Sequence, residues 1–148
     1  MALNPNEAKA IYWAFASRLI DRDAVISWAD QWMSQIESPP DALIDLSLSR
    51  NVDENDILSA LGILATGSSA NASGKRILEM LCDAWESKRI STEMALLILR
   101  DLSCGLGFGD KAASIANEVE DRMALEWMNY STEQAIAWVR SESKMLTK

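Results

Sequence analysis

Carboxylates are the side chains of this sequence with the clearest capacity for chemistry. Five of them fall in one stretch, SPPDALIDLSLSRNVDEND (38–56), in which Arg50 is the single basic residue and apolar residues are interleaved. Such a stretch predicts either a solvated helix surface or a surface that receives a basic partner. The acids are Asp41, Asp45, Asp53, Glu54 and Asp56, of which Asp53 is also a predicted helix cap.

A second acidic set, Glu79, Asp83 and Glu86, is spaced at i, i+4 and i+7. This spacing puts the three acids on one helix face, opposite the apolar residues Leu78 and Leu81. Paired carboxylates on helices can hold two metal ions or act as acid and base, but such bundle enzymes use inward-pointing Glu-x-x-His pairs. A solvated face is therefore the first interpretation, a partner-binding face the second and catalysis the third.

The chain contains no histidine, which excludes Ser-His-Asp and Cys-His catalysis and histidine metal sites. Cys82 and Cys104 make neither a disulfide framework nor a metal-ligand set, and we expect two reduced, buried thiols. The sequence therefore predicts a protein that is not an enzyme and that has no cofactor and no metal site.

Length and charge narrow the class of partner. The 148 residues include 22 acids and 14 bases, for a net charge of −8. A chain of this charge lacks the cationic face that nucleic acid or anionic lipid requires, so neither partner is expected. Residues 1–7 lack the pattern of a secretory signal, and no apolar run approaches the ~18 residues of a membrane span. These features predict a cytoplasmic protein.

Apolar residues recur with helical period along nearly the whole chain. Asn4-Pro5-Asn6-Glu7 predicts a helix start, and Asp21, Asp53, Ser91 and Ser131 are further predicted caps, Ser131 in a capping box with Gln134. We see no strand pattern. The prediction is an all-α single domain over residues 1–148, a helical bundle of about seven or eight helices.

Two segments modify this picture. The loop TGSSANASG (66–74) has linker-like composition and is a candidate point of sub-division. The helix after Ser91 is apolar nearly all round between Met94 and Leu102, so we expect it at the centre of the core, with Leu97 and Ile98 buried.

A phrase recurs at the helix starts: IDRDAV at 20, VDENDI at 52, ISTEMA at 90 and YSTEQA at 130. Each places an apolar residue just before a cap, which the hydrophobic staple explains without common ancestry. Because the spacings are uneven, a single bundle is favoured over a helical repeat array, which stays open as the alternative.

Five of the six tryptophans divide by their position on the apolar stripes of the predicted helices. Trp32, Trp85 and Trp127 fall on these stripes and are predicted core residues. Trp13 and Trp138 fall partly off them, and are candidate anchors of a protein interface, where aromatic residues are enriched.

The segments DAVISWADQWM (23–33) and PPDALIDLSLS (39–49) carry a resemblance to known proteins. They resemble a pattern in small acidic helical bacterial proteins, the immunity proteins of contact-dependent and polymorphic toxin systems, which bind and neutralise a cognate toxin domain. The resemblance covers less than half of the chain, and no functional residue is carried over from it. It implies a partner that is a basic toxin domain, a nuclease, whose active site or substrate-binding face the protein occludes.

The charge of the chain is compatible with that partner. A nuclease is basic where it holds nucleic acid, and an acidic inhibitor gains association rate and selectivity from complementary charge. Alternatives are a helical adaptor or chaperone-like module of a secretion system and, less favoured, a carboxylate-based metal protein. The predicted partner-binding residues are Asp41, Asp45, Glu54, Asp56, Glu79, Asp83, Glu86, Trp13 and Trp138.

Overall fold

The computed structural model describes residues 3–104, 110–124 and 131–146, without the side chains of residues 103, 104, 120 and 122–124. These residues form eight α-helices and no strand, which confirms the predicted all-α class and the number of helices. The helices are α1 (Pro5–Ala16), α2 (Arg22–Met33), α3 (Asp41–Ser47), α4 (Glu54–Leu64), α5 (Ala70–Glu86), α6 (Thr92–Cys104), α7 (Asp110–Ala124) and α8 (Thr132–Ser143).

The chain divides into two compact units between Ser68 and Ser69. This point lies inside the linker-like stretch 66–74, although Ala70–Gly74 already belong to α5, with Ser69 as its cap. Each unit therefore contains four consecutive helices.

In the first unit α1 packs on α4, α2 on α3, and α3 on α4. The helix starts follow the sequence: the Asn4 side chain accepts a hydrogen bond from the N–H of Asn6, and Asp21 accepts one from Ala24, both at 2.9 Å. Apolar side chains from all four helices close this core, the largest fully buried ones on α2 to α4 being Val25, Leu43, Leu46, Ile57 and Leu61.

The second unit repeats this pattern of packing, with α5 on α8, α6 on α7, and α7 on α8. The predicted capping box at the start of α8 is confirmed: Gln134 N–H donates to the Ser131 hydroxyl at 3.2 Å, and Ser131 N–H donates to the Gln134 side chain at 2.8 Å. The largest fully buried side chains are Ile77, Leu78, Leu81, Ile98, Leu99 and Val119.

The predicted central position of α6 is wrong. Ile98 is buried as expected, but Leu97 is 51% exposed and Met94 is 40% exposed. The helix packs mainly on one neighbour, α7, so a single face, containing Ile98 and Leu99, is enough to bury it.

The turn between the first two helices is the same in both units, 70 residues apart. Arg18 and Lys88 both have positive φ, at +66° and +63°. The two N–H groups that follow Arg18 both donate to the carbonyl of Ala14, and the two that follow Lys88 both donate to the carbonyl of Ala84.

Burial on the helices also matches by position. Three buried residues of α2 coincide with buried residues of α6 at a separation of 70, and three buried residues of α4 and its C-cap coincide with buried residues of α8 at a separation of 78. The recurring phrases at 20 and 90 therefore mark one turn of a repeated four-helix unit, so cap geometry is only part of their explanation. The matched pairs are Val25 and Ala95, Trp28 and Ile98, Ala29 and Leu99, Ile57 and Ala135, Leu61 and Val139, and Ala65 and Ser143.

Candidate functional site

The candidate site is an apolar groove with an acidic rim, formed within the first unit by α3 and α4. Its volume is about 670 Å³, which is in the range of ligand-binding clefts. Three of the predicted partner-binding acids, Asp41, Asp45 and Asp56, line it. The apolar lining comes from Ala42, Leu46, Leu48, Val52, Ile57, Ala60 and Ile63.

Two large apolar side chains of this groove face solvent. Leu48 is 74% exposed and Ile63 is 65% exposed. Full burial of a Leu or Ile side chain contributes roughly 1.5–3 kcal/mol of stability. These two exposed side chains do not make that contribution within their own unit. Both side chains line the groove, so exposed apolar surface lies in the same depression as the three acids.

The helices explain where the carboxylates lie. Asp41 and Asp45 are four residues apart on α3, so they share one face, while Leu46 turns inward and is buried. Asp53 caps α4 by accepting a hydrogen bond from the N–H of Asn55 at 3.0 Å. Asp56 lies in the first turn of the same helix, where the helix dipole favours a negative charge.

Glu54 also lies in that first turn, but it does not line the groove. It is exposed beside the rim. The structure therefore brings three of the four acids predicted for this region to the groove itself, and leaves Glu54 at its margin.

Arg22 fixes the connection between α3 and α4. One guanidinium nitrogen donates to the carbonyl oxygens of Ser49 at 3.1 Å and Arg50 at 3.0 Å, and also to that of Val52. The cation is thus directed at backbone carbonyls and forms no salt bridge with the rim acids. Sequence reasoning missed Arg22, because its partners lie 27–30 residues away and are backbone atoms.

The rim acids carry uncompensated charge. Within the ranges that the structure describes, no salt bridge reaches Asp41, Asp45, Glu54 or Asp56. A surface of this kind attracts cations over roughly a Debye length, about 8–10 Å at ordinary ionic strength.

The acids predicted on α5 are in a different electrostatic state. Arg140 Nη2 lies 3.0 Å from Asp83 Oδ1 and 2.7 Å from Glu86 Oε2, and Arg140 Nε also donates to Glu86 at 3.0 Å. The hydrogen bond to Glu86 is the largest of the effects that raise the pKa of Arg140 above its ordinary value. Glu79 lies 3.7 Å from Arg76. This set is therefore largely neutralised by its own unit.

The prediction of Trp13 as a surface anchor is wrong. Its ring is only 6% exposed and belongs to the core of the first unit, with the Lys9 ammonium 5.3 Å from the ring centroid. The reason is that α1 buries a wide face, which extends from Ile11 past Ala14 and Ala10 to Trp13.

Trp138 is half-buried, as a partly off-stripe ring should be. It lines a smaller depression, about 360 Å³, together with Lys111, Ser114, Ile115 and Glu118 of α7.

The three tryptophans predicted for the core have three different outcomes. Trp85 is buried and donates to the Thr92 hydroxyl at 3.2 Å, which confirms its prediction. Trp32 is half-buried, so it is only partly a core residue. Trp127 lies outside the described residues.

Cys82 is fully buried, and its burial raises the pKa of the thiol to about 12. A thiol in this state is neutral and a poor nucleophile at physiological pH. The side chain of Cys104 lies outside the described residues.

Across residues 3–104, 110–124 and 131–146 there is no group of three or more acidic, histidine or cysteine side chains placed to hold a metal ion. Over the same ranges, no helix combines the length and the apolar character that crossing a membrane requires.

Comparison with known proteins finds no match, either among protein-family models, among curated proteins or among solved structures. The groove is therefore the structural observation from which a function can be proposed.

Proposed function

We propose that this chain is an immunity protein, which binds a basic toxin domain through the α3–α4 groove and blocks it without catalysing a reaction. One observation supports this most: carboxylates without salt-bridge partners, among the described residues, surround an exposed apolar groove. Apolar contact supplies affinity, and uncompensated charge supplies selectivity for a cationic surface.

The apolar and the acidic residues of the groove have different roles in binding, which follow from their chemistry. Leu48 and Ile63 are exposed and lose water when a partner covers them, so they supply the larger part of the binding free energy. Asp41, Asp45 and Asp56 stand around them and pair with cations of the partner. Rim charges of this kind act chiefly on the association rate.

A nuclease is the class of toxin that fits such a surface best. Its substrate-binding face must be cationic to hold phosphates, so an acidic groove competes with nucleic acid for the same face. The protein then acts by occlusion and has to be present where that nuclease finds its substrate, which we take to be the cytoplasm.

The proposal predicts that a toxin domain is encoded beside the gene of this protein, and the test uses that domain. The domain is expressed in bacterial cells with the wild-type chain or with the double variant Asp41→Lys/Asp45→Lys, and growth and nuclease activity are measured. Wild-type chain should restore growth. The double variant should lower the association rate about tenfold or more at low salt, with a smaller loss at high salt, because the affected charges steer encounter.

A matched control is available on α6, where Glu93 and Asp101 are exposed acids. Glu93→Lys/Asp101→Lys changes the net charge by the same amount away from the groove. Equal losses in the two double variants would mean that only overall charge matters, and an unchanged association rate in both would remove the charge argument. A neighbouring toxin domain that the wild-type chain neither binds nor inhibits would refute the proposal.

A further inference from the structure

The repeated unit offers an internal template for what the groove accepts. Helices α4 and α8 occupy the same place in their units, each packed on the first and third helices of its own unit. Their caps, Asp53 and Ser131, and their buried residues Leu61 and Val139 are all separated by 78 residues. In this register, Ala60 of α4 corresponds to Trp138 of α8.

The two corresponding residues line corresponding depressions. Trp138 faces residues 114, 115 and 118 of α7, and Ala60 faces residues 41, 42 and 45 of α3. Three lining residues of the third helix thus have the same i, i+1, i+4 spacing in both units, whereas Leu46 and Lys111 each line only their own depression. Where the second unit has an indole ring and a depression of about 360 Å³, the first unit has a methyl group and a groove of about 670 Å³.

We propose that the groove of the first unit receives an aromatic side chain of its partner, next to a lysine or arginine, in the place that Trp138 fills in the second unit. Because the side chain of Ala60 is small, the groove stays open at this position, and a flat ring has the shape that the fold accommodates there. The flanking acids Asp41, Asp45 and Asp56 then pair with the neighbouring cation. This inference rests on the proposed function for the identity of the partner, but not for the chemistry of the groove.

Tryptamine tests the groove without any toxin, since it joins an indole ring to an ammonium group. In an amide-resolved NMR titration of the full chain, tryptamine should shift the resonances of Leu48, Ala60 and Ile63 with a Kd on the order of 1 mM. Butylamine, which lacks the ring, and indole-3-propionate, which carries the opposite charge, should each bind about tenfold more weakly. Comparable binding of all three compounds, or shifts confined to other residues, would overturn the inference.

Ala60→Trp places into the first unit the side chain that the second unit already has. This variant should abolish the tryptamine shifts and lower toxin affinity about tenfold or more, with an unchanged helical circular dichroism spectrum. Trp138→Ala is the matched control, and should leave tryptamine binding at the first groove intact.

If Ala60→Trp fails to fold, Asp41→Asn/Asp45→Asn provides a second test. Both acids are exposed, so this variant should fold normally. It should weaken tryptamine binding several-fold and leave binding of uncharged indole unchanged; equal effects on both would overturn the inference. Full toxin affinity in a folded Ala60→Trp variant would also overturn it, while leaving the immunity function standing. A chain that takes up tryptamine at the groove but ignores the toxin domain would refute the immunity function alone.

Discussion

The two units of this chain use the same four-helix arrangement with opposite surface chemistry. In the first, the acids around the α3–α4 groove have no salt-bridge partner among the described residues, and Leu48 and Ile63 are left exposed. In the second, Arg140 holds Asp83 and Glu86, and Trp138 lies in the corresponding depression. Satisfied charge and filled space favour the stability of the unit itself; unsatisfied charge and open apolar space favour binding. This difference is the reason for proposing the binding surface on the first unit.

The largest expected effect tests whether burial really matches between the units. Ile98 corresponds to buried Trp28, and Leu97 corresponds to exposed Ser27. Ile98→Ala should lower the free energy of unfolding by about 2–5 kcal/mol, because it leaves a cavity in the core. Leu97→Ser should change it by less than about 1 kcal/mol. Urea denaturation measures both, and similar losses would break the positional match.

The next effect concerns the closed core of the second unit under alkaline conditions. Because the pKa of Cys82 rises from 9.0 to about 12 on folding, the folded chain keeps a proton that the unfolded chain loses between these values. Stability is therefore unaffected by this group below about pH 9, and falls above it by up to about 1.4 kcal/mol per pH unit. Cys82→Ala should show a shallower decline between pH 9 and 12 in denaturant titrations. Identical slopes in the two proteins would contradict the buried, neutral thiol.

A smaller effect separates compensated from uncompensated acids. Arg140→Gln should destabilise the chain by about 1 kcal/mol or less, since the ion pairs it removes are partly exposed, and the loss should shrink in high salt. Asp41→Asn/Asp45→Asn should change stability by no more than about 0.5 kcal/mol, because no ion pair is lost. A larger loss for the groove variant than for Arg140→Gln would reverse the assignment of the two surfaces.

The smallest effect examines the turn that the units share. Arg18 and Lys88 hold the left-handed conformation without being glycine, which costs about 1 kcal/mol per residue. Arg18→Gly and Lys88→Gly should each raise the thermal midpoint, by a free energy below about 1 kcal/mol once the extra freedom of unfolded glycine is included. Arg89→Gly, one residue further on, has no positive φ to relieve and should gain nothing. Stabilisation by only one of the two variants would mean that the turns differ in energy.

The features that could be predicted from the sequence are those decided by neighbouring residues. The caps at Asn4, Asp21, Asp53 and Ser131 involve partners two or three residues away, so short motifs were enough. The acids of α3 and α4 were also found from composition alone. Whether a helix face is buried was harder to predict from the sequence. The exposure of Leu97 and the burial of Trp13 depend on how many helices pack against the helix that carries each residue.

Long-range partners explain the remaining differences. Arg140 contacts Asp83 and Glu86, which lie 57 and 54 residues away in sequence. No short motif around these residues predicts the pairing. The correspondence of Ala60 with Trp138 was concealed by connections of different length, which change the separation from 70 residues at the first turn to 78 at the last helix. From the sequence, the acids of α3 and α4 and the acids of α5 are equal candidates for a binding surface. The structure distinguishes them, because Arg140 forms salt bridges with the acids of α5.

The contact of Arg22 with the backbone that joins α3 to α4 has a consequence for how the groove comes into being. Its carbonyl partners lie 27 to 30 residues away, so the bonds form only after α2 has docked on α3. A peptide containing only α3 and α4 would lack Arg22, whose guanidinium holds this connection. Contacts between residues so far apart in sequence cost loop-closure entropy before they stabilise the fold. The shape of the groove is thus a property of the completed unit, because its α3–α4 connection is held by a residue of α2.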